Sequence, residues 1–227
     1  MATAGRKLSR KELRQPDWFQ RSTENALETF QTHRVLVLLA IAATIAMLLG
    51  IWGFQMFKER QDAAAAPEFA HAMSLYQAGQ HKEALAAFQK VETYRWSRYA
   101  NLAYLYQANS YLELNDLTKA AAASQRFIVG TKDNSLMRQV GLFTLANVEE
   151  RRSDCNSALQ HYAEAQRISG AFQDAALLGK GRCLEATGDL KGALAAYKDY
   201  LKNQSNSPVA LQVAELEARV GRQDGGK

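Results

Sequence analysis

The sequence predicts an all-α protein: a single N-terminal transmembrane helix, then an α-solenoid of about four paired-helix repeats, then a capping helix. Three observations predict it. Residues Val35–Phe57 form an apolar run without one charged side chain. The rest of the chain shows helical periodicity and no strand-like alternation, and its prolines, Pro16, Pro67 and Pro208, each stand where a helix would start. After Pro67, one order of small residue, turn, alanine and aromatic recurs four times. The expected layout is a cytoplasmic basic and amphipathic segment over 1–34, the span over 35–57, and a helical stalk over 58–66. Four repeats over 67–206 and a capping helix with a tail over 207–227 complete it.

The N-terminal segment comes first. Ser9 and Glu12 have capping-box spacing, and Pro16 suits the first turn of a new helix. Trp18, Phe19, Ala26, Leu27 and Phe30 recur at near-helical spacing. Two readings stand for this stretch: an amphipathic helix lying on the membrane surface, or a solvated linker leading into the span.

Between Arg34 and Lys58 the polar side chains are Thr44 and Gln55 alone. A helix rises about 1.5 Å per residue, so about 20 apolar residues cross a hydrocarbon core of roughly 30 Å. In lipid the backbone must satisfy its own hydrogen bonds, which selects a helix. Trp52, Phe54 and Phe57 gather at the far end, where aromatic rings favour the headgroup boundary. Signal-peptide cores run to roughly 7–15 residues behind a short basic start. This run is longer and follows 34 residues, so it reads as an anchor that stays.

Charge orients the anchor. The first 34 residues hold seven Lys/Arg against four acids, while the remainder holds 21 against 19. Behind the span, only Lys58 and Arg60 lie close. The positive-inside rule then puts the N-terminus in the cytoplasm and the C-terminal domain across the membrane. The near-neutral, interspersed charge of that domain argues against nucleic acid, which needs a concentrated basic face.

The stalk KERQDAAAA consists of good helix formers and is expected to end at Pro67. The first repeat then reads Ala72, the turn Gly79-Gln80, Ala84 and Phe88; the second reads Ala108, Asn115-Asp116 and Ala120, with Ser124 where the aromatic belongs. The third gives Ala146, Ser153-Asp154, Ala158 and Tyr162, and the fourth Gly181, Gly188-Asp189, Ala193 and Tyr197. The alanines at 84, 120, 158 and 193 are spaced by 36, 38 and 35 residues. Small residues let paired helices approach closely, an aromatic fills the space beside them, and Gly or Asn-Asp turns the chain sharply. This is the pattern of the tetratricopeptide repeat, whose unit is about 34 residues. A stacked array needs a polar-backed last helix. Ser207-Pro208 starts one, Val209, Val213, Leu216 and Val220 line its inner face, and Gly221 is expected to stop it.

Recognisable catalytic chemistry is missing. His33, His71, His81 and His161 show no paired-ligand spacing, and there is no GxSxG, GxxxxGK[ST] or CxxC. Glu149-Glu150 beside Arg151-Arg152 reads as a solvated, self-paired face. No enzyme, no cofactor and no small-molecule substrate are expected. Protein partners are, because the first helix of each repeat lines an inner groove. Its expected lining is Phe69, Met73 and Tyr76, then Leu105, Asn109 and Leu112, then Phe143, Asn147 and Arg151, then Leu178, Arg182 and Glu185. Such a groove suits an extended peptide or a partner helix. The competing reading packs Phe69, Met73 and Tyr76 against the stalk. Asn109 and Asn147 are similar to the asparagines of repeats that clamp a C-terminal carboxylate, but Leu105 and Phe143 stand where the lysines belong.

Cys155 starts the second helix of the third repeat and Cys183 lies near the end of the first helix of the fourth, on neighbouring antiparallel helices. Two readings stand: a disulfide, if the Cα atoms come within about 7 Å in an oxidising compartment, or two buried thiols filling the seam.

Three segments, SRYANLAYLYQANSYLELNDLTKAAAASQ, SLMRQVGLFTLANVEERRSDCNSAL and AALLGKGRCLEATGDLKGALAAYKDYL, together with the anchor, resemble the YfgM-type ancillary subunit of the bacterial Sec translocon. The resemblance implies a bacterial inner-membrane protein with a periplasmic array. That array would meet translocon subunits, periplasmic chaperones or client polypeptides during secretion, without catalysis. The residues alone also accommodate a scaffold for cell-wall or outer-membrane machinery, or a cytoplasm-facing array that recruits a soluble enzyme.

Overall fold

A computed structural model describes residues 34–204 and 207–225. The readings of the segment before Arg34 lie outside the described residues. Among the described residues there are nine helices and no strand. They run α1 (Arg34–Gln77), α2 (His81–Glu92), α3 (Arg98–Glu113), α4 (Leu117–Val129), α5 (Leu136–Arg151), α6 (Cys155–Arg167), α7 (Gln173–Ala186), α8 (Leu190–Asn203) and α9 (Val209–Gly225). Two compact units divide the chain at Phe57 and Lys58.

The described part of the first unit is the apolar start of α1. Its large side chains, from Val35 to Phe57, are exposed around the helix. Thr44 turns its hydroxyl back to the carbonyl of Ala40, at 2.8 Å, so the span's one hydroxyl is satisfied within the helix. α1 is the one helix among those described that is long and apolar enough to cross a membrane.

The second unit is a stack of helix pairs: the end of α1 with α2, α3 with α4, α5 with α6, and α7 with α8, followed by α9. Each pair closes through the same turn. Gly79, Asn115, Ser153 and Gly188 have φ of 74°, 57°, 62° and 86°. In each case the next residue's N–H bonds back five positions, to Leu75, Tyr111, Glu149 and Leu184, at 2.8–3.0 Å. This is a Schellman-type stop, and it leads straight into the next helix cap. Asp116, Asp154 and Asp189 each accept a bond from the backbone N–H three residues on, at 3.1, 3.2 and 2.9 Å.

The repeat marks form the core. Ala72 shares a buried cluster with Ala84, and Ala146 shares one with Ala158; these four, with Ala108, Ala120 and Ala193, are fully buried. In the fourth pair Gly181 takes the small position, and a Cβ there would fall on the Tyr197 ring. Gly179 is covered in the same way by Tyr162 of the preceding pair. The second pair lacks the aromatic. Ser124 is buried and satisfies its hydroxyl on the Ala120 carbonyl at 2.9 Å, while Phe127, one turn later, is fully buried against Gly141.

Two boundaries differ from expectation. The stalk does not end at Pro67, because α1 runs through it to Gln77. Proline deprives the Ala63 carbonyl of its donor, yet the alanines before it and EFAHAMSLYQ after it are helix formers that hold the helix on both sides. Nor does Gly221 stop the last helix, which continues to Gly225. A glycine ends a helix when it takes the left-handed conformation, and Gly221 is not among the positive-φ residues.

Candidate protein-interaction groove

The residues expected to line the groove divide by what each side chain touches. Phe69 is half-buried, with Phe88, Tyr99 and Tyr106 at ring-centroid distances of 5.8, 5.2 and 5.7 Å. Tyr76 meets Tyr106 edge-on at 5.5 Å, and Met73 packs on the same cluster. These three side chains pack within the first helix pair and bind it to α3. Aromatic pairs in such offset and edge geometries add about 0.5–1.5 kcal/mol each beyond their burial.

Leu105 and Leu112 are each 8% exposed. Leu112 packs with Ala120 and Ala121 of α4 and with Leu145 and Val148 of α5. The expectation that these two leucines line an open groove is therefore corrected: both are buried, and α4 and α5 cover Leu112. Phe143 is half-buried between Tyr162, at 6.0 Å, and Phe172, at 5.3 Å. Leu178 packs on the core of the fourth pair. Asn109 and Asn147 stay part-exposed, and Arg151 and Arg182 are exposed. Arg151 reaches across the seam to donate to the Leu112 carbonyl at 3.5 Å.

The acids of α5 are not a self-paired solvated face. Glu149 is buried and meets His161 Nδ1 at 2.7 Å. Glu150 takes a fork from Arg182, with Nε and Nη2 at 2.6 and 2.8 Å, and a third bond from the Tyr162 hydroxyl at 2.6 Å. Burial works against the charge on Glu150, but the bonds from Arg182 and Tyr162 outweigh it and hold its carboxyl below the usual range. Burial, reinforced by Glu150, pushes the Tyr162 phenol far up.

The same constellation recurs one repeat later. Glu185 accepts from the Tyr197 hydroxyl at 3.4 Å, from Arg219 of α9 at 2.8 Å and from Gln212 at 3.0 Å. Burial and the Glu185 charge push Tyr197 up to about 12. Sequence reading missed this pair of clusters, although its signal was present: each glutamate precedes its tyrosine by 12 residues.

Cys155 and Cys183 are joined as a disulfide between α6 and α7, with Cα atoms 5.1 Å apart. Among the described residues no group of His, Cys, Asp or Glu is placed to hold a metal ion. What the site offers chemically is shape, exposed guanidinium and amide groups, and part-buried rings.

The sequence profile of the tetratricopeptide repeat-like domain matches residues 28–218. No curated protein matches the chain significantly. Among solved structures, BtubC (BKLC) from P. vanneervenii is similar with a TM-score of 0.59 at 14% identity, over 72% of this chain and 84% of that one. The TPR-like repeats of a putative kinesin light chain from Podosopora anserina give 0.57 at 14% identity, over 73% and 89%. YrrB, a TPR protein with an unusual peptide-binding site, gives 0.51 at 18% identity, over 72% and 89%. At these identities the likeness is one of fold.

Proposed function

The chain belongs to the tetratricopeptide repeat-like domain family, a protein-interaction scaffold by type, and from that premise we propose that it is a membrane-anchored periplasmic scaffold acting in secreted-protein trafficking near the Sec translocon. One observation carries the proposal: a 23-residue uncharged run with exposed apolar side chains precedes a repeat array in a single chain. A helix that keeps such side chains out of a protein core has lipid as its matching environment. On the inner face expected of such an array, Asn109 and Asn147 are part-exposed and Arg151 and Arg182 are exposed, which supports a protein-binding role.

Two features support the periplasmic side. Seven basic residues precede the span against two just behind it. The array's cysteines are paired, and disulfides persist in oxidising compartments and are rare in the cytosol. The translocon assignment rests on the resemblance of the anchor and the three repeat segments to the YfgM-type subunit.

The test is site-specific photocrosslinking in cells from position 147, whose asparagine is part-exposed and belongs to the expected groove lining. Adducts with translocon subunits, periplasmic chaperones or nascent secreted chains are expected. Adducts with cell-wall synthases alone would replace this reading with an envelope-assembly role. Adducts with cytoplasmic enzymes alone would overturn the orientation.

A further inference from the structure

A second recess lies away from that groove, between the second helices α2 and α4 and above α3. It has a volume of about 620 Å³ and is lined by Glu92, Arg95, Asn101 and Tyr104, among others. A further recess of about 370 Å³ shares Gln89 and Glu92 with it and extends the cleft along α4. The sequence explains the opening. α4 reads LTKAAAASQRFIV, so the small side chains of Ala122 and Ala123 line its side of the cleft. With no bulk on α4 to meet α2, the space between them stays open.

The cleft carries excess positive charge. Arg95 and Arg126 lie on either side of Tyr104 along the chain, and both act electrostatically on its phenol. The Arg126 guanidinium lies 5.8 Å from the Tyr104 ring centre. Among the described residues neither arginine has a carboxylate ion-pair partner, whereas Lys119 nearby is paired with Asp116 at 2.8 Å. The acid in the lining, Glu92, already accepts a bond from Gln107. Burial, and then Glu92, push the Tyr104 phenol up, so it remains a neutral hydroxyl.

We propose that this cleft binds an extended acidic peptide segment of a partner protein, with its carboxylates on Arg95 and Arg126. The volume falls within the range of ligand sites, about 300–1,000 Å³. Guanidinium forks match carboxylates in geometry as well as charge. The Asn101 and Gln89 amides supply the donors and acceptors that an extended backbone needs. The site is separate from the first-helix groove and stands whether or not the partner there is the translocon.

The full-length protein in detergent micelles tests this by fluorescence anisotropy with two labelled peptides, one alternating Glu with Leu and the other Lys with Leu. The Glu peptide is expected to bind saturably, and the Lys peptide to bind at least about tenfold more weakly. The double variant R95E/R126E should weaken the Glu peptide by at least about tenfold, and R95A/R126A should do so less steeply. Both arginines are exposed, so neither change disturbs the core. The control R152E/R222E alters the net charge equally at exposed positions outside the cleft and should bind within about twofold of the unmodified protein. No saturable binding, equal affinity for the two peptides, or equal losses in the cleft and control variants would each overturn the proposal.

Discussion

Reducing the Cys155–Cys183 disulfide should loosen the distal half of the array by an amount that the chain itself sets. The bond closes a loop of sequence separation 28, which ties α6 of the third pair to α7 of the fourth. In the chain-entropy picture a loop of that length costs the unfolded state roughly 12 cal/mol/K, or about 3.5 kcal/mol at 25 °C. For a chain of this size each kcal/mol moves the melting temperature by about 2–4 °C, so reduction is expected to lower it by roughly 7–14 °C. Because repeats contact only their neighbours, the loss should appear first in α6–α9 and last in the pair formed by α1 and α2. The assay is thermal unfolding of the full-length protein, prepared with a thiol block, with and without a reductant, followed by hydrogen exchange resolved by helix. Unchanged melting on reduction would refute the reasoning, as would two reactive thiols per chain in the denatured, unreduced protein.

Three further outcomes follow from particular contacts. Gly181→Ala sets a methyl on the Tyr197 ring and should cost about 1–3 kcal/mol by overpacking, read from denaturant unfolding and concentrated in the fourth pair. Ser153→Gly should stabilise by about 1 kcal/mol, because Ser153 holds φ 62° in a turn whose first and fourth copies use glycine; an unchanged or lower midpoint would count against the strain argument. His161 is bonded to the buried Glu149, which raises its pKa above 6.5 against the opposing effect of burial. Its contribution is therefore fully present below pH 6.5 and is lost as the pH rises through the raised value, so the unfolding midpoint should fall across that window; an equal fall in His161→Gln would remove the pair as its cause.

The solenoid was legible because each copy restates it. Ala84, Ala120, Ala158 and Ala193 announce a close helix approach, and the structure buries all four completely. What resisted reading was what depends on neighbours. Pro67 and Gly221 are boundary signals in isolation, but the helix formers around Pro67 carry α1 through it, and Gly221 never takes the left-handed turn. Leu105 and Leu112 have the correct helical phase for the groove. Phase does not reveal that α4 and α5 close over Leu112 from both sides. Glu149 and Glu150 are adjacent in sequence and point to different helices, one to His161 on α6 and the other to Arg182 on α7. A reading by local charge balance pairs them with Arg151 and Arg152, since only the fold brings residues 32 positions apart into contact.

The two glutamate–tyrosine–arginine clusters explain how the stack ends. Burying Tyr162 under the next helix pair also buries its hydroxyl, and a buried hydroxyl must find an acceptor or lose about 1–3 kcal/mol. Glu150 supplies that acceptor, but a half-buried carboxylate then needs a cation, and Arg182 of the next first helix provides it. Tyr197 in the fourth pair creates the same demand, with Glu185 as acceptor, and among the described residues α9 stands next to it in place of a fifth pair. The cation comes instead from Arg219 on α9, 34 residues after Glu185, close to the 32 that separate Glu150 from Arg182. α9 thus takes the electrostatic place of a next repeat's first helix. Its Val213 and Leu216 bury the apolar face of the fourth pair. Its outward positions, with Glu215, Glu217 and Arg222 exposed, do not continue the pattern. A capping helix with the apolar stripe alone would leave Glu185 a partly buried charge without its guanidinium. The cap therefore has to match the array in charge as well as in hydrophobic surface.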